Sequence, residues 1–260
     1  MKPAITLVAI LAAASAASAQ TLASDDFAYT GALTSNGWTA HSGAGNKVIN
    51  SNGSFATLEF SGGSGEDINL AFAAQTATDV TYASFTLNVP SGNPVNPDNN
   101  GSYFAHLKDA SFGFRARTGL LSPSGSGDFG IGINASSSSI GNGAVWGSDL
   151  SFDTNYTIVI SYDASSGDSS LWVDPTSSSS TSITHTGTAG TLIDSVALRQ
   201  ANDHTGFIYV DDVLAGQSFN DVVVSTNPTQ AAPAAGPLAT GLLGLLLASV
   251  GAFFARRRLA

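Results

Sequence analysis

Between residues 20 and 225 no stretch repeats its apolar residues with the period of a helix; short runs alternate apolar and polar residues instead. A period of two puts every second side chain on the same side of an extended chain, so such runs mark half-buried strands. In Val80 to Val89 the alternation gathers Ala83, Phe85, Leu87 and Val89 on one face, and in Tyr156 to Tyr162 it gathers Tyr156, Ile158, Ile160 and Tyr162. Phe129, Ile131 and Ile133 alternate with glycine. Further strands are expected near 55–60, 67–72, 103–107, 112–117, 169–173, 193–199 and 207–213. Turn-forming clusters separate them: Ser61-Gly62-Gly63-Ser64-Gly65, Asp98-Asn99-Asn100-Gly101 and the segment from Asp163 to Asp168. About twelve short strands with such spacing suit two packed antiparallel sheets.

The two ends have a different character. Lys2 gives a positive start, Ile5 to Ala14 an apolar run, and Ala17-Ser18-Ala19 before Gln20 a small-residue cleavage site. This is the three-part layout of a secretory signal peptide, expected over residues 1–19, and its apolar run is short for a bilayer. Toward the other end, 226–237 is a Pro/Ala-rich linker, Leu238 to Ala255 carries no charge, and Arg256-Arg257-Arg258 follow. Helical residues rise about 1.5 Å each, so that run is just long enough to cross, and the guanidinium groups favour the cytoplasmic side. Residues 238–260 are therefore expected to be a membrane anchor or sorting signal, with 20–225 an exported domain.

Composition removes several function classes. There is no cysteine, which excludes a disulfide framework, a thiolate metal site and a thiol nucleophile. Between residues 20 and 230 only Lys47, Lys108, Arg115, Arg117 and Arg199 are basic, against all 19 acidic residues, for a net charge of −14. A nucleic-acid partner bound by counterion release needs the opposite balance and is not expected.

Asp25-Asp26-Phe27 and Asn36-Gly37-Trp38 open the domain, Asn52-Gly53-Ser54-Phe55 follows, Leu171-Trp172-Val173-Asp174 lies late, and Tyr209-Val210-Asp211-Asp212-Val213 comes last. This order resembles the concanavalin A-like lectin and glucanase superfamily. The resemblance implies an all-β, two-sheet antiparallel jelly-roll sandwich, here with an N-terminal signal helix and a C-terminal transmembrane helix. The tail resembles the PEP-CTERM sorting signals of bacterial surface proteins, although Pro233-Ala234-Ala235-Gly236-Pro237 stands where that family has Pro-Glu-Pro. It implies a bacterial envelope location and a sorting or processing protease as partner.

The resemblance also frames the chemistry. Family-16 glycoside hydrolases of that superfamily carry two Glu on one strand with an Asp between, which aims both carboxylates at one cleft. Here the only glutamates are Glu59 and Glu66, split by a Gly-rich turn, so the motif is absent and no catalytic residue is assigned. His41, His106, His185 and His204 are scattered and show no metal spacing. By resemblance a structural calcium ion is held by Asp211, the Gly53 carbonyl and the segment around Asp25; calcium takes six to eight oxygen ligands. A polysaccharide would stack on aromatic rings, and Trp146, Trp172 and Tyr82 are the candidates, with Trp38 behind them. Address and fold together lead to an exported, surface-anchored, non-catalytic protein that binds matrix or polysaccharide. A glycan hydrolase with an unrecognised site and a surface protein without a specific ligand are the alternatives.

Overall fold

The computed structural model describes residues 20–201 and 204–223. The expected signal helix, linker and transmembrane helix lie outside the described residues. Among the described residues no helix is long and apolar enough to cross a membrane.

The strands, in chain order, begin with β1 (Thr21–Asp25), β2 (Thr30–Ala32), β3 (Trp38–Ser42), β4 (Asn50–Asn52), β5 (Ala56–Ser61) and β6 (Asp67–Ala71). They continue with β7 (Val80–Asn88), β8 (Ser102–Lys108), β9 (Phe114–Leu121), β10 (Gly130–Asn134) and β11 (Ala144–Val145). The last are β12 (Tyr156–Asp163), β13 (Asp168–Val173), β14 (Ile183–Thr186), β15 (Ser195–Leu198) and β16 (Thr205–Gly216), followed by a single helical turn, α1 (Phe219–Val222). They form two sheets. The nine-stranded sheet runs β14-β13-β12-β7-β16-β5-β4-β2, with β1 also on β16; the seven-stranded sheet runs β11-β10-β9-β8-β15-β6-β3. The strand pairs are antiparallel, as in β7–β12, β7–β16 and β8–β9.

The sheets are held face to face by the side chains that alternation singled out. Phe85 of β7 meets Phe104 of β8 edge-on at 5.7 Å, across the space between the sheets. Ala83, Leu87, Ile158, Ile160, Tyr162, Ile131 and Ile133 join the same core and are fully buried. Full burial of such a side chain stabilises by roughly 1.5–3 kcal/mol, so this layer is the main support of the fold. The edge strands β2 and β11 are only three and two residues long, which limits the unpaired backbone each sheet exposes.

Irregularities of the ladder matter more for function than its regular parts. β16 pairs β5 over Thr205–Val210 and then β1 over Val213–Gly216. The changeover carries a register shift between Asp211 and Leu214 against β7, and Asp212 has φ of 49°. β8 shifts register against β9 on both sides of Ala105, and Ala116 of β9 has φ of 49°. Bulges of this kind re-aim side chains. Here Phe104, Ala105 and Leu107 belong to the main core, while Tyr103 groups with Leu121, Ile140 and Phe114 in a separate cluster.

The turn α1 closes over the outer side of the nine-stranded sheet. Phe219 of α1 packs on Trp172 of β13 at 5.5 Å and on Tyr82 of β7 at 6.2 Å, both edge-on. The Ser84 hydroxyl donates to the Val222 carbonyl at 2.6 Å. Asp221 accepts from the main-chain N–H of Ser218 at 2.8 Å, capping the turn, and its other oxygen accepts from the N–H of Gln20 at 3.0 Å.

Candidate functional site

The bulges on β8 and β9 gather a set of chemistry-bearing groups on the seven-stranded sheet, on the side away from the sandwich core. The Tyr103 and His106 rings lie 5.3 Å apart, and His106 tilts against Phe114 at 4.4 Å. His41 of β3 stands 5.9 Å from His106 and 5.7 Å from Phe114. Phe112, on the β8–β9 turn, extends the row at 5.9 Å from Phe114 and is 68% exposed, the largest exposure of any large apolar side chain among the described residues.

Two guanidinium groups are laid on these rings. Arg199, just after β15, sits 4.3 Å from the Tyr103 centroid, and Arg117 of β9 sits 5.3 Å from both Tyr103 and Phe114. Attraction of a cation to a ring face fixes their positions at little cost in side-chain freedom. Arg199 also donates to the Ser102 hydroxyl and the Tyr103 carbonyl, and its Nε lies 4.0 Å from the Asp67 carboxylate. Lys108 is buried at the end of β8, with Nζ donating to the Asp109 carbonyl at 2.7 Å.

Several polar atoms in this cluster have no partner in the protein. They are both nitrogens of His41, both nitrogens of His106, and Nε and Nη1 of Arg117. Asn69 beside His41 and the Tyr103 hydroxyl beside Arg117 do not reach hydrogen-bond geometry. A buried group left unsatisfied costs about 1–3 kcal/mol, so six at one place is a feature to be explained. Burial pushes His41 down to about 4, helped by the Lys108 charge. Burial likewise pushes His106 well below the usual histidine range, with His41, Arg117, Arg199 and Lys108 adding to it. Both imidazoles are thus neutral near pH 7, each offering one donor and one acceptor. Burial pushes Asp67 up to about 6 against the pull of Arg199.

A second cluster is acidic and lies where β16 changes neighbours. Burial and the charges of Asp212, Asp26 and Asp25 hold the Asp211 carboxyl above the usual range, which places these carboxylates close together. Asp25 is already engaged: its oxygens accept from the Phe27 N–H at 2.9 Å, the Tyr29 hydroxyl at 2.8 Å and the Trp38 indole N–H at 2.6 Å. Asp25 therefore acts as a fastener for Trp38 and the 25–29 turn, a role the resemblance did not imply. Asp211 keeps one oxygen beyond the bond from the Asp212 N–H, and Asp26 one beyond the bond from the Ala28 N–H. Gly53, with φ of 98°, is tied to the same turn through Ser51, whose hydroxyl accepts from the Gly53 N–H and donates to the Phe27 carbonyl. Among the described residues no group of three metal-binding side chains converges.

The aromatic residues expected to stack on sugar are placed differently from the expectation. Trp172 is 7% exposed and Tyr82 half-buried, both beneath α1, so neither is an open platform. Alternation had correctly put Trp172 opposite Leu171, but that face is closed by α1. Trp38 is buried in the main core, and Trp146 is half-buried against its edge. Glu66 is buried and accepts from the N–H groups of Gly45 and Ile49, holding that loop. His185 accepts from the Ala135 N–H. The row Phe112, Phe114, His106 and Tyr103 was missed; the signal available was Phe112-Gly113-Phe114-Arg115-Ala116-Arg117, which sets two of the chain's few basic residues beside two aromatic rings.

No protein-family model matches the sequence, and no curated protein matches it. Among solved structures the chain is similar to a sialidase, with a TM-score of 0.51 and 13% identity, over 76% of this chain and 19% of the sialidase. The chain thus spans about a fifth of that protein's length. It is also similar to the alginate lyase Aly36B (TM-score 0.49, 13% identity, 75% of this chain and 96% of that one). A third similarity is to the carbohydrate recognition domain of Emp46p (TM-score 0.44, 10% identity, 78% and 97%). With the sheet order, the sialidase likeness shows a fold of two packed antiparallel sheets, a β-sandwich.

Proposed function

We propose that the domain binds a glycan without cleaving it, through the outer side of the seven-stranded sheet around Tyr103, His106, Phe112, Phe114, Arg117 and Arg199. The observation that carries this reading is the row of aromatic rings lying against six unpartnered polar atoms. Sugar rings present the complementary surface: an apolar face for a ring such as exposed Phe112, and hydroxyls for imidazole and guanidinium groups. That a sialidase shares the fold is in keeping with a glycan-facing role. Against cleavage stands the lack of the two-glutamate strand.

Titrating the purified full chain with soluble polysaccharides tests the reading. Saturable binding that weakens about tenfold in Phe112→Ala, and is unchanged in Trp172→Phe, is expected; loss of one stacking contact is worth about 1–1.5 kcal/mol. Reducing ends released during the same incubation would replace binding by hydrolysis.

Two finer elements belong to the proposal. One is export, with cleavage after Ala19 and retention at a bacterial envelope by residues 238–260 until a sorting protease acts; the mass of the mature N-terminus and envelope fractionation test it. The other is a structural calcium ion. Asp211 and Asp26, with main-chain oxygens near Gly53, would hold it, and it would supply the positive charge that this group of carboxylates lacks. Asp25, its oxygens already committed, would not be a ligand.

A further inference from the structure

We infer that the glycan is acidic: the cluster on the seven-stranded sheet is built for a carboxylate or sulfate group carried on a sugar ring. This rests on the proposed glycan-binding role and names the chemical class of its ligand.

The argument begins with how the few positive charges are distributed. Of the five basic residues between residues 20 and 230, three come together here from the adjacent strands β8 and β9 and from the end of β15: Lys108, Arg117 and Arg199. All three bear electrostatically on His106. A domain of net charge −14 could have surrounded each with carboxylates. Instead the facing carboxylate is Asp67, at the long distance of 4.0 Å from Arg199. Asp109 is turned to the Ser111 and Gly113 N–H groups, and one oxygen of Asp194 accepts from the Ser195 hydroxyl. Lys47 lies apart from the cluster and donates to the Gly62 and Gly63 carbonyls, while Arg115, 6.0 Å from the Tyr162 ring, adds its charge from beside Arg117.

Like charges held together away from water repel, and the repulsion is retained only if something offsets it. The protein offsets it in part by ring faces, with Tyr103 shared by both guanidinium groups. What it does not provide is acceptors. Nε and Nη1 of Arg117 are unpartnered, and so are both nitrogens of the fully buried His106, one of which must carry a hydrogen. Fixed donors and excess positive charge, with aromatic faces alongside, match an oxyanion on a pyranose ring. Guanidinium groups bind carboxylate and sulfate through paired, charge-assisted hydrogen bonds. A neutral sugar would satisfy some donors but not the charge. The acidic remainder of the surface acts over about a Debye length, roughly 8 Å at physiological salt, so it does not cancel the contact inside the site.

The test uses the purified full chain and needs no variant at its first step. Binding is measured to polygalacturonate, to the same polymer fully methyl-esterified, to a sulfated galactan and to a neutral β-glucan. Saturable binding to polygalacturonate or to the sulfated galactan is expected, at least about tenfold tighter than to the ester, as loss of a charge-assisted pair implies. Which of the two binds more tightly distinguishes carboxylate from sulfate. Arg117→Gln and Arg199→Gln should each weaken that binding about tenfold, while Lys47→Gln, which removes the same charge elsewhere, should leave it within about twofold. Equal binding of the free acid and the ester, or binding to the β-glucan alone, would overturn the acidic-ligand inference and leave the glycan-binding reading intact. Binding to none of the four would overturn both.

Discussion

Replacing Asp25 with alanine removes two acceptor oxygens and the three hydrogen bonds they receive. Trp38 is 3% exposed and Phe27 fully buried, so the Trp38 indole N–H and the Phe27 main-chain N–H lose their partner where water cannot readily replace it. Each orphaned donor costs about 1–3 kcal/mol. The Tyr29 hydroxyl is only half-buried and can turn to water, adding a few tenths at most. Phe27 also has φ of 49°, a backbone conformation that the Asp25 turn helps to hold. Together these give an expected loss of about 3–5 kcal/mol, a large share of the 5–15 kcal/mol typical of a domain. Urea unfolding followed by tryptophan fluorescence and by circular dichroism measures it. The reasoning also requires the loss to be the same with calcium and with chelator, because Asp25 acts through hydrogen bonds and not through a metal. A loss below about 1 kcal/mol, or one present only when calcium is supplied, would refute it.

Other outcomes follow from the same structure. Phe219→Ala should destabilise by about 3 kcal/mol, the lower end for a buried phenylalanine because a four-residue terminal turn can readjust, and should shift Trp172 emission to the red. The proton resonances of His41 should titrate with a midpoint near 4; a midpoint within half a unit of the ordinary 6.5 would contradict its burial among cations. Because the folded values of His41 and His106 lie below the unfolded one, the unfolded chain takes up protons first, and stability from this source is full above about pH 6.5 and lost as pH falls toward 4. Asp67, raised to about 6, works the other way over roughly pH 4–6, so Asp67→Asn should steepen the acid loss. Calcium should raise the melting temperature of the full chain, with the rise abolished by Asp211→Asn and retained in Lys47→Gln; no rise at millimolar calcium would remove the ion from the proposal.

The inner layer of the sandwich was readable from the sequence because β7 and β12 are long enough to show a period and obey it without interruption. β2, β4 and β11 were not, since two or three residues make no period. The candidate site was hidden for a different reason. Strict alternation from Phe104 would send His106 into the core, and only the shifts beside Ala105 bring it out to join Tyr103. Alternation told which side of β13 Trp172 occupies but not that α1, far along the chain, covers that side. Periodicity is a local property, whereas the cover on a sheet face is settled by distant segments.

The Asp221 carboxylate receives the N–H of Gln20 on one oxygen and caps the last helical turn with the other, so the two ends of the domain are gripped by a single side chain. Mechanical load arriving from the C-terminal direction would reach this grip before any strand. The four-residue turn would peel first, drawing Phe219 off the indole of Trp172 while the sheets stay whole. The emission of Trp172 would then report the loosening of the turn before any loss of strand structure.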